Sequence, residues 1–193
     1  MKIVIAPQAF KGSLSALNVA NAVQEGVRRI FPDAQILSCP VADGGDGTLE
    51  TLVESSGGKI METNVADPTG KPIVAQWGAM GDGNTAVIEM ARTSGLALLT
   101  LEERDPLNAT TYGLGEIIVS ALNKGFRKFI VGIGGSATND AGAGMAQALG
   151  IKLIDREGRN LAFGGAALQN LSSIETSSLD QRVLESNFQI ACD

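Results

Sequence analysis

Three polar, glycine-bearing loops, each following a short apolar run, constrain the fold of this 193-residue chain most strongly. They read QAFKGS (8–13), ADGGDGT (42–48) and GGSATNDAG (134–142). Apolar runs such as KIVIA (2–6) are typical of strands buried in parallel sheets. In open α/β sheets, ligands bind at the carboxyl ends of the strands, where such loops meet. The sequence therefore predicts an α/β protein with a parallel sheet, flanking helices and a site formed by these loops.

The order of the remaining segments indicates two units. Residues 1–56 alternate strand, loop and helix, with a helix from Ser15 to about Ile30, a strand at 35–39 and a helix at 49–55. From Gly57 the turn signals PTG and GDGN separate short strands, which predicts an antiparallel segment. Helical spacing returns within 104–125, a strand is expected at 129–131, and a helix is expected to end at Gly150. We therefore divide the chain into an incomplete Rossmann- or flavodoxin-like unit (1–56) and a second α/β unit (57–193).

Composition excludes several classes of function. The net charge is −6, no basic cluster is present and aromatic residues make up 4%, so a nucleic-acid partner is not expected. The N-terminal apolar run is too short for a signal peptide or a membrane span, and Cys39 and Cys192 lie far apart, so a cytoplasmic protein without membrane partners is expected. Because the chain has no histidine, catalysis must depend on carboxylates, lysine, hydroxyls, backbone dipoles or an oxygen-bound cation.

The third loop carries the candidate nucleotide and phosphate site. Glycine-rich turns between a strand and a helix expose backbone N–H groups that bind anions. The candidate residues are Gly134, Gly135, Ser136, Ala137, Thr138, Asn139 and Asp140. Two alternatives remain open: Gly132, Gly134 and Ala137 also fit the G-x-G-x-x-A fingerprint of an NAD-dependent dehydrogenase, with Asp155 as its acid, or the glycines serve only close helix packing. A P-loop motif is absent.

Three further groups of residues are candidates for binding. Asp43 and Asp46, with Gly44 and Gly45, are expected to contact substrate or Mg²⁺, the alternative being a solvated turn. Lys11 lies near a predicted helix start and can reach a phosphate, although an isolated lysine is usually a surface residue. Arg92, followed by Ser94, can bind a substrate carboxylate through its planar fork, or can simply be exposed.

These segments together resemble the bacterial glycerate kinases of the first type. The resemblance covers essentially the whole chain and runs through KIVIAP, FKGSLSA, FPDA, PVADGGDGT, TAVIEMA, TSGL, PLNATTYGLGE, GIGGSATNDAGAGMAQALG and ACD. It implies an ATP- and Mg²⁺-dependent kinase that phosphorylates D-glycerate, mostly at the 2-hydroxyl, and two α/β domains of which the second is inserted into the first. Phosphate charge is then expected to be neutralised by Lys11, and Asp193 is expected to orient or deprotonate the attacking hydroxyl. A catalytically inactive ligand-binding module remains the alternative.

The sequence departs from this family in three respects. Gln8 and Ala9 stand where the family usually has an acid and a serine, and Asp46 replaces a glutamate. Family members are also about twice as long, and the chain ends on the apolar run FQIACD, so we expect a fragment of a longer protein. The oligomeric state is left open, a homo-oligomer included.

Overall fold

The computed structural model describes residues 1–10, 13–45 and 47–192. Its strands are β1 (Lys2–Ile5), β2 (Gln35–Ser38), β3 (Lys59–Ala66), β4 (Pro72–Ala79), β5 (Thr85–Glu89), β6 (Lys128–Gly132), β7 (Lys152–Ile154), β8 (Ser173–Glu175) and β9 (Asn187–Ala191). Its α-helices are α1 (Ala16–Ile30), α2 (Thr48–Ser56), α3 (Ala91–Ser94), α4 (Tyr112–Asn123) and α5 (Ala143–Ala148). The predicted α/β class is confirmed.

The first strands and helix form where their sequence pattern predicts. β1 and β2 pair in parallel, and α1 connects them. Ser15 caps α1, because its hydroxyl oxygen accepts a hydrogen bond from the Asn18 backbone N–H at 3.2 Å. The buried face of α1 is formed by small and branched residues at helical spacing, Ala16, Val19 and Ala20.

A second, mixed sheet carries the rest of the fold. Its strand order is β3-β4-β5-β6-β9, with antiparallel pairing from β3 to β5 and parallel pairing from β5 to β9. The predicted antiparallel segment is therefore present, but it extends the parallel strands instead of forming a sheet of its own. β7 and β8 form a separate antiparallel pair. All five residues of β5 are buried, as expected for a central strand.

Helices cover both faces of the mixed sheet. On one face α4 packs against the alternating residues Ala86 and Ile88 of β5, together with Trp77 and Phe129. On the other face, α2 packs Leu49 and Val53 against Val87, and a Cβ at Gly78 would lie only 2.3 Å from a Val53 methyl group. Residues 48–56 thus lie against the mixed sheet, and the predicted division at residue 56 remains a prediction.

Two glycines allow α4 and α5 to approach closely. A Cβ on Gly115 would lie 2.6 Å from both the Met145 carbonyl oxygen and the Ala148 Cβ. A Cβ on Gly144 would lie 2.1 Å from the Thr110 hydroxyl oxygen. These distances are too short for any side chain. Among the described residues, the helices include none with the length and apolar character needed to cross a membrane.

Gly115→Ala and Gly26→Ala test this packing with the same chemical change in two helices. Gly115→Ala should lower the free energy of unfolding by about 1–3 kcal/mol, because the added methyl group overlaps α5. Gly26 lies in α1, and no atom lies within 4 Å of its Cβ position. Gly26→Ala should therefore raise the free energy of unfolding by about 0.5–1 kcal/mol, because alanine has the higher helix propensity. Urea unfolding measures both values. Equal effects at the two positions would contradict the packing.

Candidate functional site

A cleft of about 490 Å³ lies where the loops after β1, β2 and β5 meet the third loop. It is bounded by the start of α1 on one side and the start of α2 on the other. Its lining residues are Gln8, Ala9, Phe10, Ser13, Leu14, Ser15, Ala16, Val41, Ala42, Asp43, Gly45, Gly47, Thr48, Glu50, Thr51, Arg92 and Gly135. The structure thus brings the three glycine-bearing loops together at the carboxyl ends of the strands, as the sequence predicts.

Backbone atoms of the second and third loops lie in direct contact. The Gly134 N–H donates to the Gly44 carbonyl oxygen at 3.1 Å. A Cβ on Gly132 would lie 2.5 Å from that same oxygen, and a Cβ on Gly44 would lie 2.2 Å from the Ala191 carbonyl oxygen. Gly44 also has φ +89°, which L side chains rarely adopt. Any side chain at these positions would separate the loops.

Asp43 faces the cleft and is held from two directions. Its Oδ1 accepts a hydrogen bond from the Gly45 N–H at 2.9 Å, and its Oδ2 accepts one from the Gln8 side-chain amide at 2.9 Å. Gln8 therefore has a direct contact with a candidate ligand-binding carboxylate. An acid at position 8 would face the Asp43 carboxylate and repel it, whereas the amide donates to it.

The first turn of α2 opens onto the same cleft. Its N-cap, Gly47, has φ +92° and provides no side-chain cap, and Gly47 and Thr48 line the cleft. The Thr48 hydroxyl oxygen accepts from the Gly44 N–H at 3.0 Å, which fixes the loop that leads into the helix. The positive end of the α2 dipole is thus directed toward the cleft.

Arg92 is held between two carboxylates at the edge of the cleft. Its Nε donates to Glu89 Oε2 at 2.9 Å, and its Nη2 forms a short ion pair with Glu50 Oε1. Glu89 Oε1 in turn accepts from the Leu49 N–H at 2.9 Å. Although burial opposes the charge, the ion pairs with Glu89 and Glu50 raise the pKa of Arg92 above its ordinary value. Arg92 is therefore a fixed cation beside the cleft.

The third loop is divided among three cavities. Gly134 lines one of about 320 Å³, together with Asp43, Gly45, Ile133 and Cys192. Gly135 lines the cleft, whereas Ser136, Thr138, Asn139 and Asp140 line a separate cavity of about 570 Å³ with mostly apolar walls. Ser136 and Thr138 bind each other, with 2.9 Å between their hydroxyl oxygens. The Ala137 N–H donates to the Ser94 carbonyl oxygen at 2.8 Å.

Asp140 and Ser94 lie inside the protein. Asp140 is 1% exposed, and its carboxylate accepts hydrogen bonds from the Thr111 N–H and hydroxyl and from the N–H groups of Gly142 and Gly144. Ser94 is fully buried and does not line the cleft. Their binding roles remain predictions, and their positions favour a role in holding the third loop.

Three predicted site residues, Lys11, Asp46 and Asp193, lie outside the described residues. The roles expected for them therefore remain predictions.

The dehydrogenase alternative does not fit this geometry. In the dinucleotide fingerprint a helix begins within the glycine turn and the acid follows a neighbouring parallel strand. Here α5 begins only at Ala143, and Asp155 follows β7, which pairs antiparallel with β8 outside the mixed sheet. Asp155 also forms an ion pair with Arg159. The glycines after β6 instead permit contact with Gly44.

Sequence reasoning assigned no role to Glu50, Glu89 or Thr48. Glu89 ends an otherwise apolar strand, and a charge at that position is a signal for a buried ion pair. Glu50 lies two residues after the second loop, in the first turn of α2. Acidic residues are common at that position because they interact favourably with the helix dipole. No local signal identifies Glu50 as the partner of Arg92, because 42 residues separate them.

The fold is that of an α/β protein, and its cleft lies at the carboxyl ends of the strands, where proteins of this class bind ligands. The family model described as "Glycerate kinase family" matches residues 3–193. The chain therefore belongs to the glycerate kinase family.

Relatives of known name support this membership. The chain is 52% identical over 193 residues, its full length, to glycerate kinase from Bacillus subtilis and to glycerate 2-kinase from Escherichia coli, covering 50% and 51% of their lengths. A crystal structure of a protein assigned as glycerate kinase 2 from Salmonella typhimurium LT2 matches the whole chain with a TM-score of 0.92 and 50% identity, over 52% of that protein. The chain thus spans about half the length of the curated relatives it matches.

Asp140→Asn tests the role of the buried carboxylate in the third loop. The variant should lose at least about 1–3 kcal/mol of unfolding free energy, because the amide nitrogen cannot accept the hydrogen bonds that the second carboxylate oxygen accepts. Asp105→Asn is the matched control at an exposed turn, where an asparagine oxygen can accept the same turn bonds, so we expect a loss below about 1 kcal/mol. Urea unfolding compares them, and a stable Asp140→Asn variant would refute the role.

Proposed function

We propose that the protein carrying this chain is an ATP-dependent kinase that phosphorylates D-glycerate at its 2-hydroxyl. The observation that carries the proposal is the cleft itself, where Arg92, Asp43, Gly135 and the start of α2 face one space of about 490 Å³. The family membership supports the reaction class, and the Escherichia coli relative at 52% identity is named glycerate 2-kinase.

The chemistry of the cleft suits an anionic, hydroxylated substrate. The Arg92 guanidinium provides a planar donor for the glycerate carboxylate. The Thr48 and Leu49 N–H groups at the start of α2 already donate, to the Gly45 carbonyl oxygen and to Glu89. Phosphate oxygens would therefore be bound by the Gly135 backbone at the cleft and favoured by the positive end of the α2 dipole. Phosphoryl transfer depends mainly on alignment and charge neutralisation, so a chain without histidine can support it. We further propose that Lys11 neutralises phosphate charge and that Asp193 accepts the hydroxyl proton.

The residues present are compatible with a magnesium site. Mg²⁺ in kinases is usually held by one or two carboxylates together with substrate phosphates and water. The two Asp43 oxygens each accept one hydrogen bond, which leaves lone pairs for a cation. Asp43, together with Asp46, would hold the ion, which when bound supplies neutralisation of phosphate charge. Among the described residues, no group of three or more acidic or cysteine side chains forms a metal cluster.

The remaining expectations are proposals of the same kind. We propose a cytoplasmic protein without nucleic-acid or membrane partners, built from one unit of residues 1–56 and an inserted unit that begins at residue 57. The close backbone contact between Gly44 and Gly132 joins these two units at the cleft.

A coupled assay of ADP release tests the reaction. The protein encoded by the complete gene should release ADP only when Mg-ATP and D-glycerate are both present. A chimera of this chain with the remaining half of the Escherichia coli relative is a second test of the same residues. Binding of D-glycerate by calorimetry without turnover in either protein would favour the non-catalytic module, and neither binding nor turnover in folded protein would refute the proposal.

Arg92→Lys tests the carboxylate contact. We expect the KM for D-glycerate to rise at least about tenfold with kcat changed less than about threefold, because lysine provides no planar fork and the lost contact is made in ground and transition states alike. Arg104→Lys, at an exposed loop position, is the matched control and should leave both constants unchanged. An unchanged KM in the Arg92 variant would exclude the contact.

A further inference from the structure

Glu89 is a charged residue at the end of a central strand, and it is only 1% exposed. It does not line the cleft, so it cannot contact a ligand there. A buried carboxylate is strongly disfavoured unless its oxygens are bonded and its charge is paired. The Glu89 carboxylate can therefore be buried only because other groups bond its oxygens and pair its charge.

Glu89 bonds two elements that face the cleft. Its Oε1 accepts from the Leu49 N–H in the first turn of α2, and its Oε2 accepts from the Arg92 Nε, both at 2.9 Å. Gly47, the N-cap of α2, offers no side chain to the helix, so Glu89 supplies an acceptor that a capping side chain normally supplies. The same carboxylate thus fixes the helix start and the guanidinium relative to each other.

We propose that Glu89 is a positioning residue that holds Arg92 and the first turn of α2 in one fixed arrangement beside the cleft. The inference rests on the proposed function, in which Arg92 binds the substrate carboxylate. An arginine side chain has many rotamers, and each must be restricted before a planar contact forms. Glu89 restricts Arg92 in advance from inside the protein, and Glu50 restricts it from the cleft side.

The charges make this proposal distinguishable from a simple electrostatic role. Glu89, Arg92 and Glu50 together carry a net charge of −1, which by itself disfavours an anionic ligand. Glu89→Gln removes that negative charge and keeps an oxygen acceptor for the Leu49 N–H, but it places an amide donor or a weaker acceptor against the Arg92 Nε. If charge dominates, the KM for D-glycerate falls; if positioning dominates, it rises.

The experiment measures kcat and KM for Glu89→Gln in the protein encoded by the complete gene. We expect KM for D-glycerate to rise about tenfold, with kcat changed less than about threefold, as expected for loss of a charge-assisted hydrogen bond. In an Arg92→Lys background the same substitution should change KM less than about twofold, because Glu89 acts through Arg92. A fall in KM, or an equal rise in both backgrounds, would overturn the proposal.

Glu116→Gln is the control for the loss of a carboxylate that accepts a backbone N–H, at a half-buried position. Glu116 also uses its carboxylate to accept a backbone N–H, that of Ala66 at 2.7 Å, but on α4 and away from the cleft. It should lower the melting temperature without raising KM. If Glu89→Gln does not fold, Glu89→Asp replaces it, because the shorter side chain keeps the charge but cannot reach both partners, and the same rise in KM is expected.

A second measurement needs no substrate. Phenylglyoxal modifies arginine, and mass spectrometry can follow Arg92 against exposed Arg28 as an internal reference. Arg92 should react several-fold faster in Glu89→Gln than in the unmodified sequence, whereas Arg28 should be unchanged. If the protein does not phosphorylate D-glycerate, the proposed function fails while this rate still tests the positioning. An unchanged Arg92 rate would refute the role of Glu89.

Discussion

The close approach of two glycine backbones is the constraint on which the cleft depends. The loop after β2 belongs to the two-stranded sheet, and the loop after β6 belongs to the mixed sheet, yet Gly44 and Gly134 share a 3.1 Å hydrogen bond. The Gly44 and Gly132 positions leave no room for a Cβ. Gly45 and Gly135, the neighbours of this contact, line the cleft, so the distance between the second and third loops at this point is set by main-chain van der Waals radii. Glycine at these positions is thus a packing requirement as well as a source of exposed N–H donors.

Two buried carboxylates organise the polar side of the structure. Asp140 joins the start of α4 to the loop before α5, and Glu89 joins the start of α2 to Arg92. In both cases one side chain accepts a hydrogen bond from a backbone N–H that lies far away in sequence, that of Thr111 for Asp140 and that of Leu49 for Glu89. Buried groups of this kind are costly if a partner is lost, so they favour one arrangement of the loops over alternatives. The rigidity of the cleft thus comes from acids that do not face it.

Local pattern predicted the elements well, because helical spacing, the Ser15 cap and turn signals act within a few residues. The strand order could not be predicted from the sequence. The antiparallel strands β3 and β4 lie in the same sheet as β5, β6 and β9, and pairing between distant segments leaves no periodic signal in the sequence. For the same reason no local signal shows that Ser94 and Asp140 are buried or that Glu50 contacts Arg92, and the binding roles expected for Ser94 and Asp140 remain predictions. The sequence fits the dehydrogenase fingerprint, but the structure does not, because β7 pairs antiparallel with β8 and not in parallel with a strand of the mixed sheet.

The contact between Gly44 and Ala191 also has a consequence for folding kinetics. It joins residues separated by about three quarters of the 193-residue chain, so it closes a long loop. Long-range contacts of this type form late, after local helices and hairpins have offset part of the entropy lost on ordering the chain. During refolding, far-ultraviolet circular dichroism should therefore recover before ligand affinity does. The contact of the second loop with Ala191 forms only when β9 has docked against β6.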